Sequence, residues 1–268
     1  DMPLEYLREL SGHQRQTRGN RHLGLSLAFI AGAVNAGGFL AVGHYTSHMT
    51  GLLSATADHL ALGEVWMAMA ALVAILTFVA GAATTALQIN WAQRRQLRSQ
   101  FALSLLLEAM LLLLFGLAGA YLQQMDDFFL PGTVLLLCYI MGLQNAIITK
   151  VSRAEIRTTH VTGLVTDIGI ELGKMFYYNR SHDKGEPVQA NRDKLFLHLK
   201  LVGCFFVGGV LGALAFKRIG YSATLPLALW LIALAVVPIW DDLRLQWWLY
   251  RHGLTQQSAA QQGNPDEE

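Results

Sequence analysis

Six long apolar blocks separated by short polar segments occupy most of the 268-residue chain. They cover residues 23–43, 65–89, 101–122, 132–149, 199–216 and 223–240. Each is roughly 18–25 residues long, the length that an α-helix needs to cross about 30 Å of hydrocarbon. Only 15% of the residues are charged, whereas soluble domains carry about 25%. Because backbone amides in lipid must bond internally, the sequence predicts an all-α, polytopic membrane protein.

A short motif occurs twice, at corresponding places in the two halves of the chain. The first copy is Ser-His-Met-Thr-Gly at residues 47–51, and the second is Thr-His-Val-Thr-Gly at residues 159–163. Each copy follows a small-residue apolar segment with an asparagine, Asn35 or Asn145. The motif threonines are 162 − 50 = 112 positions apart and the asparagines 145 − 35 = 110. Self-similarity at nearly one spacing predicts a duplicated fold.

The duplication divides the chain into a membrane domain and two polar ends. Residues 1–22 are predicted to be a cytoplasmic N-terminal segment, and residues 241–268 a polar C-terminal tail. The membrane domain covers residues 23–240, with one repeat at about 23–122 and the other at about 131–240. Each repeat then contains a span, a motif segment and two further spans. In the second span of each repeat, residues 206–209 resemble residues 78–81, so that Phe206 is paired with Phe78 and Gly209 with Gly81.

The charges favour six membrane crossings over eight. The second motif segment contains Asp167, Glu171 and Lys174, and each charge costs up to about 2.5–3.5 kcal/mol at the centre of a lone helix. With six crossings and cytoplasmic termini, most clusters of lysine and arginine lie inside, except Lys217 and Arg218. Three crossings per repeat turn the second copy upside down. The sequence therefore predicts two inverted three-helix repeats, each with an extra short broken or re-entrant helix.

The motif residues and their upstream amides form the candidate substrate site. Helix N-termini favour anions, histidine titrates near neutral pH, and charges or amides inside a membrane domain suggest function. The expected N-caps are Ser47 or Thr50 and Thr159 or Thr162, and the motif glycines should let backbones approach. The predicted substrate-binding residues are Asn35, Ser47, His48, Thr50, Gly51, Asp58, Gln144, Asn145, Thr159, His160, Thr162, Gly163 and Asp167.

Each of these residues also has a purely structural interpretation. The histidines can be hydrogen-bonded structural groups, and the amides can bridge helices for about 0.6–2 kcal/mol. A Glu171–Lys174 pair at i, i+3 would neutralise two charges without any function. Glu108 stands alone in an apolar span, and the sequence identifies no partner for it. Both interpretations remain open at this point.

Several classes of function are disfavoured. The net charge is only +1, and its basic residues are spread over several loops, which argues against a nucleic-acid partner. The two cysteines, Cys138 and Cys204, lie in apolar blocks and suggest neither a disulfide framework nor a metal site. Nucleotide-binding and hydrolase motifs are missing from the sequence. We therefore expect no cofactor and no bound metal.

The motifs resemble a known family. Residues 32–39 and 47–51 of the first half, with residues 141–146 and 157–163 of the second, are similar to the YoaK-like family of bacterial membrane proteins, a domain of unknown function. The family pattern usually has an aspartate in place of Asn35, and an asparagine in place of Leu52. The resemblance implies an inner-membrane protein with about six helices and supplies no substrate.

The repeat architecture favours transport as the function. Inverted repeats with broken helices are typical of secondary transporters, so we expect a transporter or permease for a small polar or anionic solute or ion in preference to an enzyme. One alternative is an intramembrane enzyme acting on a lipid or isoprenoid, and another is a non-catalytic membrane scaffold. Expected partners are the lipid bilayer and the solute, and the thin wall of six helices is consistent with a homodimer. Both termini are expected in the cytoplasm.

Overall fold

The structure, a computed structural model, is helical in all its regular elements among the residues it describes. These are residues 17–42, 45–95, 97, 99–122, 129–151, 161–177, 188–236, 239–240, 243–244 and 247. In chain order the helices are α1 (Thr17–Val42), α2 (Met49–Ala61), α3 (Val65–Arg94), α4 (Ala102–Leu122), α5 (Phe129–Val151), α6 (Val161–Phe176), α7 (Arg192–Ile219) and α8 (224–236). A 3-10 turn, Gly220–Ala223, joins α7 to α8. The predicted all-α class is confirmed.

Five helical segments are long and apolar enough to cross a membrane. They are Arg21–Leu40, Val65–Arg94, Ala102–Gly119, Gly132–Lys150 and Arg192–Val236. The sequence predicted about six spans, and the difference lies in the last segment, whose 45 residues contain both α7 and α8. The motif helices α2 and α6 are too short to belong to this set, with 13 and 16 residues.

The last apolar segment turns back on itself. The Phe29 backbone in α1 touches Gly208 in α7, and the Phe29 ring lies 5.5 Å from the Trp230 ring in α8. A straight helix would separate residues 208 and 230 by about 33 Å. Gly220, with a φ of 59° at the start of the 3-10 turn, adopts the left-handed conformation that glycine tolerates best. Helices α7 and α8 are therefore the two arms of a hairpin.

Helices α1 and α7 cross at backbone contact. A Cβ atom on Gly32 would overlap the carbonyl oxygen of Phe205, and one on Gly208 would overlap the carbonyl oxygen of Phe29. Small residues allow this close approach, which lipid-embedded helices use because no hydrophobic effect drives them together. The small residues of the first apolar block thus have a packing role.

Helices α3 and α5 make the same crossing in the other half of the bundle. A Cβ atom on Gly142 would overlap the carbonyl oxygen of Phe78, and one on Gly81 would overlap that of Tyr139. Gly142 lies 110 positions after Gly32, the spacing of the repeated asparagines. Each crossing therefore joins the first span of one repeat to the second span of the other.

These contacts correct the alignment of the second spans by one residue. The sequence match paired Phe78 with Phe206, but the residue that takes the place of Phe78 at the crossing is Phe205. Likewise Gly81 corresponds to Gly208 and not to Gly209. Adjacent phenylalanines and glycines make the two alignments nearly equal in sequence, and only the helix face that meets the partner separates them.

Helix directions follow from successive contacts. Gly38 of α1 faces Leu137 of α5, whereas the Gln144 side-chain amide donates to the Leu27 carbonyl, 3.2 Å away. Residue numbers rise along α1 as they fall along α5, so these two helices are antiparallel. On α3 and α5, Gly81 contacts Tyr139. One turn further along both helices, the Thr85 hydroxyl donates to the Leu143 carbonyl. Helix α3 is therefore parallel to α5 and antiparallel to α1.

The outer surface of the bundle is apolar. Large hydrophobic side chains are exposed along α3 and α7, among them Leu76, Val79, Leu87, Phe206 and Leu214. The buried hydrophobic residues lie mainly on α1, α4, α5 and α8, which form the core. An exposed apolar surface of this extent suits lipid and not water. Together with the five apolar segments, it indicates an integral membrane protein.

Candidate functional site

The first motif returns to the side of α1. The Ser47 hydroxyl donates to the Asn35 side-chain oxygen at 2.8 Å, although Asn35 lies seven residues before the end of α1 at Val42. Seven helical residues span about 10 Å. The chain therefore doubles back along α1 before α2 begins, and it joins two residues that the sequence assigned to the site.

The start of α2 has no side-chain cap. Its N-cap residue is His48, which makes no capping hydrogen bond, so the expected cap at Ser47 or Thr50 is wrong. The Ser47 hydroxyl is instead taken by Asn35. The His48 ring lies over Gly51, where a Cβ atom would overlap it. Gly51 thus makes room for an imidazole beside a helix N-terminus that attracts anions.

The remaining predicted residues of α2 face outward from the bundle. Thr50 and Asp58 are exposed, and so is Ser54, which shares their helix face. The helix packs against α3, and its buried residue is Thr56, whose hydroxyl donates to the Leu52 carbonyl at 2.8 Å. Thr50 and Asp58 therefore do not join Asn35 and Ser47 in a described contact.

The predicted amides of α5 bond to backbone carbonyls. Gln144 is fully buried and donates to Leu27 of α1. Asn145 is nearly buried, and its side-chain nitrogen donates to the Met141 carbonyl at 2.8 Å. Asn145 lies three residues after Gly142 of the α3–α5 crossing, as Asn35 lies three residues after Gly32 of the α1–α7 crossing. Since α1 and α5 are antiparallel, the two asparagines are displaced from these crossings in opposite directions.

Part of the second motif lies outside the described residues, namely Thr159 and His160. Thr162 and Gly163 belong to the first turn of α6 and are exposed. A Cβ atom on Gly163 would meet nothing within 4 Å among the described atoms. The described residues thus contain no backbone close to Gly163, and at Gly51 the close neighbour is the side-chain ring of His48.

Asp167 joins a charged cluster between α6 and α7. Its Oδ2 atom lies 3.4 Å from Lys194 Nζ and 3.7 Å from His198 Nδ1. The imidazole of His198 is almost fully buried and Nδ1 makes no hydrogen bond in the described structure. His198 is not among the residues predicted from the sequence. Its spacing of four residues from Lys194, which places both side chains on one face of α7, could have indicated it.

Glu171 holds the end of α6 to the start of α7. Its Oε2 accepts from the Asn191 backbone N–H at 2.7 Å, and its Oε1 lies 3.0 Å from Lys174 Nζ. The Asn191 N–H, and then the Lys174 ammonium, lower the pKa of the Glu171 carboxyl. The i, i+3 pair expected from the sequence is confirmed, and the backbone donor is an addition that only the structure reveals.

The first half has a related link in the same place. His59 Nδ1 lies 2.6 Å from Glu64 Oε2, and Glu64 is the N-cap residue of α3, as Asn191 is of α7. Glu171 lies 112 positions after His59, the spacing of the motif threonines. Both motif helices are therefore attached through the same position to the cap of the next span.

The described residues bring one pair of predicted site residues together, place Asp167 against residues that were not predicted, and leave others apart. Asn35 meets Ser47, and Asp167 meets residues of α7, while Thr50, Asp58, Thr162 and Gly163 are placed without such contacts. Within the described part of the chain, no three His, Cys, Asp or Glu side chains are grouped as metal ligands would be. The arrangement offers hydrogen-bonding groups and a helix N-terminus, the usual means of holding a polar solute.

Comparison with known proteins gives a family and no individual relative. Neither the curated proteins nor the solved structures yield a significant match to this chain. A family described as "Protein of unknown function (DUF1275)" matches residues 23–237, which is nearly the whole membrane domain inferred from the apolar blocks. The resemblance to the YoaK-like proteins agrees with this match. The matched region contains both motifs, both glycine crossings and four of the five apolar segments, with all but two residues of the first, and the chain belongs to the DUF1275 family.

Proposed function

We propose that this protein is a secondary transporter or permease for a small anionic or polar solute, built from two inverted repeats with six membrane crossings. The antiparallel arrangement of α1 and α3 supports the crossing number. If two spans run in opposite directions, the segment between them begins and ends on one side of the membrane. Helix α2 then enters and leaves on the same side, and α6 does so in the second repeat. The α7–α8 hairpin supplies the fifth and sixth crossings.

The charge distribution supports an orientation with both termini in the cytoplasm of a bacterial cell. The turn after α3 carries Arg94 and Arg95, and the start of α7 carries Arg192 and Lys194. In the proposed topology both clusters face the cytoplasm, as the positive-inside rule favours. The exception is the pair at residues 217–218, which falls on the outer side.

The Ser47–Asn35 hydrogen bond is the observation that carries the transport proposal. It supports a re-entrant α2 whose uncapped N-terminus lies beside Asn35, about 10 Å before the end of α1, and next to the His48 ring. Non-helical backbone is tolerated at membrane depth where it is buried in protein or lines a cavity. Helix N-termini at the midplane are how many transporters hold anionic substrate groups. The second motif would supply an equivalent group from the other side.

The test is solute flux through purified protein in liposomes. Osmotic swelling would be followed with chloride, nitrate, phosphate and sulfate salts, and with urea and glycerol as neutral solutes. We expect protein-dependent permeation of at least one anion, reduced at least tenfold by His48→Ala and by His160→Ala. Thr77→Ala is the control, because this hydroxyl donates only to its own helix, at Val73.

Two outcomes would contradict the proposal. Absence of protein-dependent flux for every solute of the set would refute transport of this solute class. Full flux in either histidine variant would refute a site to which both repeats contribute, because an intact single motif would then be sufficient.

A further inference from the structure

A layer of buried polar side chains crosses the bundle where α3, α4 and α5 meet. Thr85, Ser104, Glu108 and Gln144 are all fully buried. The Thr85 hydroxyl donates to the Leu143 carbonyl at 3.2 Å. Polar groups at this depth in a membrane domain are costly, and they mark functional pathways more often than elsewhere. We refer to these four residues as the polar layer.

The hydrogen bonds of the layer set Glu108 level with Gln144. Ser104 donates to Gln88 of α3 at 2.7 Å, and α4 returns alongside α3 after a short turn. Glu108 lies one helical turn after Ser104 on α4, and Thr85 lies one turn before Gln88 on α3. Because α4 runs in the opposite direction to α3, Glu108 is level with Thr85. Since Thr85 is bonded to Leu143, the next residue, Gln144, lies at the same level.

The layer contains more acceptors than its donors satisfy. Each hydroxyl and the Gln144 amide nitrogen has an acceptor. Three oxygen atoms have no hydrogen-bond partner in the described structure, namely both carboxyl oxygens of Glu108 and the side-chain oxygen of Gln144. A buried carboxylate without a donor or a counter-ion is strongly disfavoured, and the carboxyl group takes a proton instead.

No described charged group compensates Glu108. The titratable side chains on the elements packed against α4 are Cys138 and Tyr139 on α5, Tyr221 in the 3-10 turn, and Arg94 and Lys150 at helix ends. Tyr139 is engaged with Thr84, at 2.7 Å. None of the described salt bridges includes Glu108. A proton is thus the simplest positive charge that this position can hold.

We propose that Glu108 is a reversible proton-binding site and that the proton is the coupling ion of the transport cycle. This coupling rests on the transport function proposed above, whereas proton binding does not. In the closed state the Glu108 O–H bond is intact and the acid is neutral. When the layer opens to water, that bond breaks, the proton passes to water, and the ionised carboxylate is solvated. Re-closure requires the proton to return.

The two repeats differ at this position. The helix that takes the place of α4 in the second repeat is α8, and residues 224–236 contain no aspartate or glutamate. Among the described residues the site therefore occurs once, and each cycle would move a single proton per chain through Glu108.

Infrared spectroscopy of the reconstituted protein tests proton binding without any solute. At neutral pH we expect a carbonyl stretching band of a protonated carboxylic acid, lost in Glu108→Gln and retained in the control Glu64→Gln, which removes an exposed carboxylate. An unchanged band in Glu108→Gln would overturn the proposal. So would loss of the wild-type band on adding NaCl at constant pH, because sodium and not the proton would then be the bound cation.

Flux measurements with chloride, nitrate, phosphate and sulfate test the coupling. We expect an imposed pH gradient to change wild-type flux of the permeant anion at least fivefold, and to leave flux through Glu108→Gln unchanged. Equal responses of the two proteins would overturn coupling while transport stands. The infrared band without flux of any of the four anions would support proton binding and overturn both coupling and transport of these anions.

Discussion

The junctions α2–α3 and α6–α7 occupy corresponding places in the two halves and differ mainly in charge. In each, a side chain near the end of the motif helix contacts the N-cap residue of the next helix, through His59 and Glu64 or through Glu171 and Asn191. The positions of Asp167 and His198 in the second junction are those of Ala55 and Ala71 in the first. The chain therefore preserves the geometry of the repeat and changes its chemistry.

This difference separates residues that hold the scaffold from residues that give each half its own role. The glycine crossings recur with the same partners in both halves, as expected of contacts that position the spans. In the part of the chain that the structure describes, the charged cluster at Asp167 and the buried acid at Glu108 each occur once. In the transporter proposed above, identical halves would make the two sides of the membrane equivalent. Unequal charge makes the states that face the two sides differ in free energy.

The glycine crossings should show the largest effect and the closest equality between the halves. Gly208→Ala places a methyl group against the Phe29 carbonyl, and such overpacking costs about 1–3 kcal/mol. Gly203→Ala is the matched control on the same helix, because a Cβ atom there meets nothing within 4 Å. The measurement is reversible unfolding in detergent micelles.

The other half offers the same experiment. Gly142→Ala should lower the free energy of unfolding as much as Gly208→Ala does. Gly132→Ala is the control, because a Cβ atom there meets nothing within 4 Å among the described atoms. Equal stability of the crossing and control variants would show that the close contacts do not determine packing. Costs that differ between the halves by more than about 1 kcal/mol, the usual size of a mutational effect, would break the structural equivalence.

The α6–α7 junction should loosen in acid. Because the Asn191 N–H and Lys174 lower the pKa of Glu171 in the folded protein, the ionised carboxylate stabilises the junction above the unfolded-state pKa. That contribution is lost as the pH falls through the folded-state pKa. Hydrogen exchange of the α6 amides should therefore accelerate relative to α2 under acid conditions.

Glu171→Gln is the control for this acid effect. The variant should exchange faster at neutral pH and show no further acceleration in acid. The exposed pair at the first junction is expected to contribute only about 0–1 kcal/mol, so His59→Ala should change α2 exchange little. A wild-type profile identical to that of Glu171→Gln would contradict the assigned role.

The smallest effect is expected at the motif hydroxyl. Ser47→Ala removes the bond to Asn35 and should lower stability by about 0.5–1.5 kcal/mol. Asn35→Asp should keep the bond because a carboxylate also accepts from the Ser47 hydroxyl. Thr159→Ala tests the second copy by the same unfolding measurement. A loss of stability in only one of the two variants would show that the motifs are alike in sequence but not in their hydrogen bonds.

The membrane class and the family were predictable from the sequence, because apolar length and short motifs are local properties of the chain. The asparagine–serine pair could be listed from the repeat, but its hydrogen bond could not, since it depends on the chain returning along α1. The predicted cap residue of α2 and the predicted alignment of the second spans were wrong for a related reason. Neighbouring residues satisfy the same local preference, and a contact with another helix decides between them.

The sequence by itself determined that the apolar blocks of this chain must be helical in lipid, since unbonded backbone is excluded from hydrocarbon. Its repeated motif is the basis of the proposed inverted repeats. Tertiary structure alone decided which helices cross, in which direction they run and which polar groups share a level. It also revealed that Glu108 has no hydrogen-bond partner among the described residues. These properties depend on residues far apart in the chain, and a periodic pattern along one helix carries no information about the helix that packs against it.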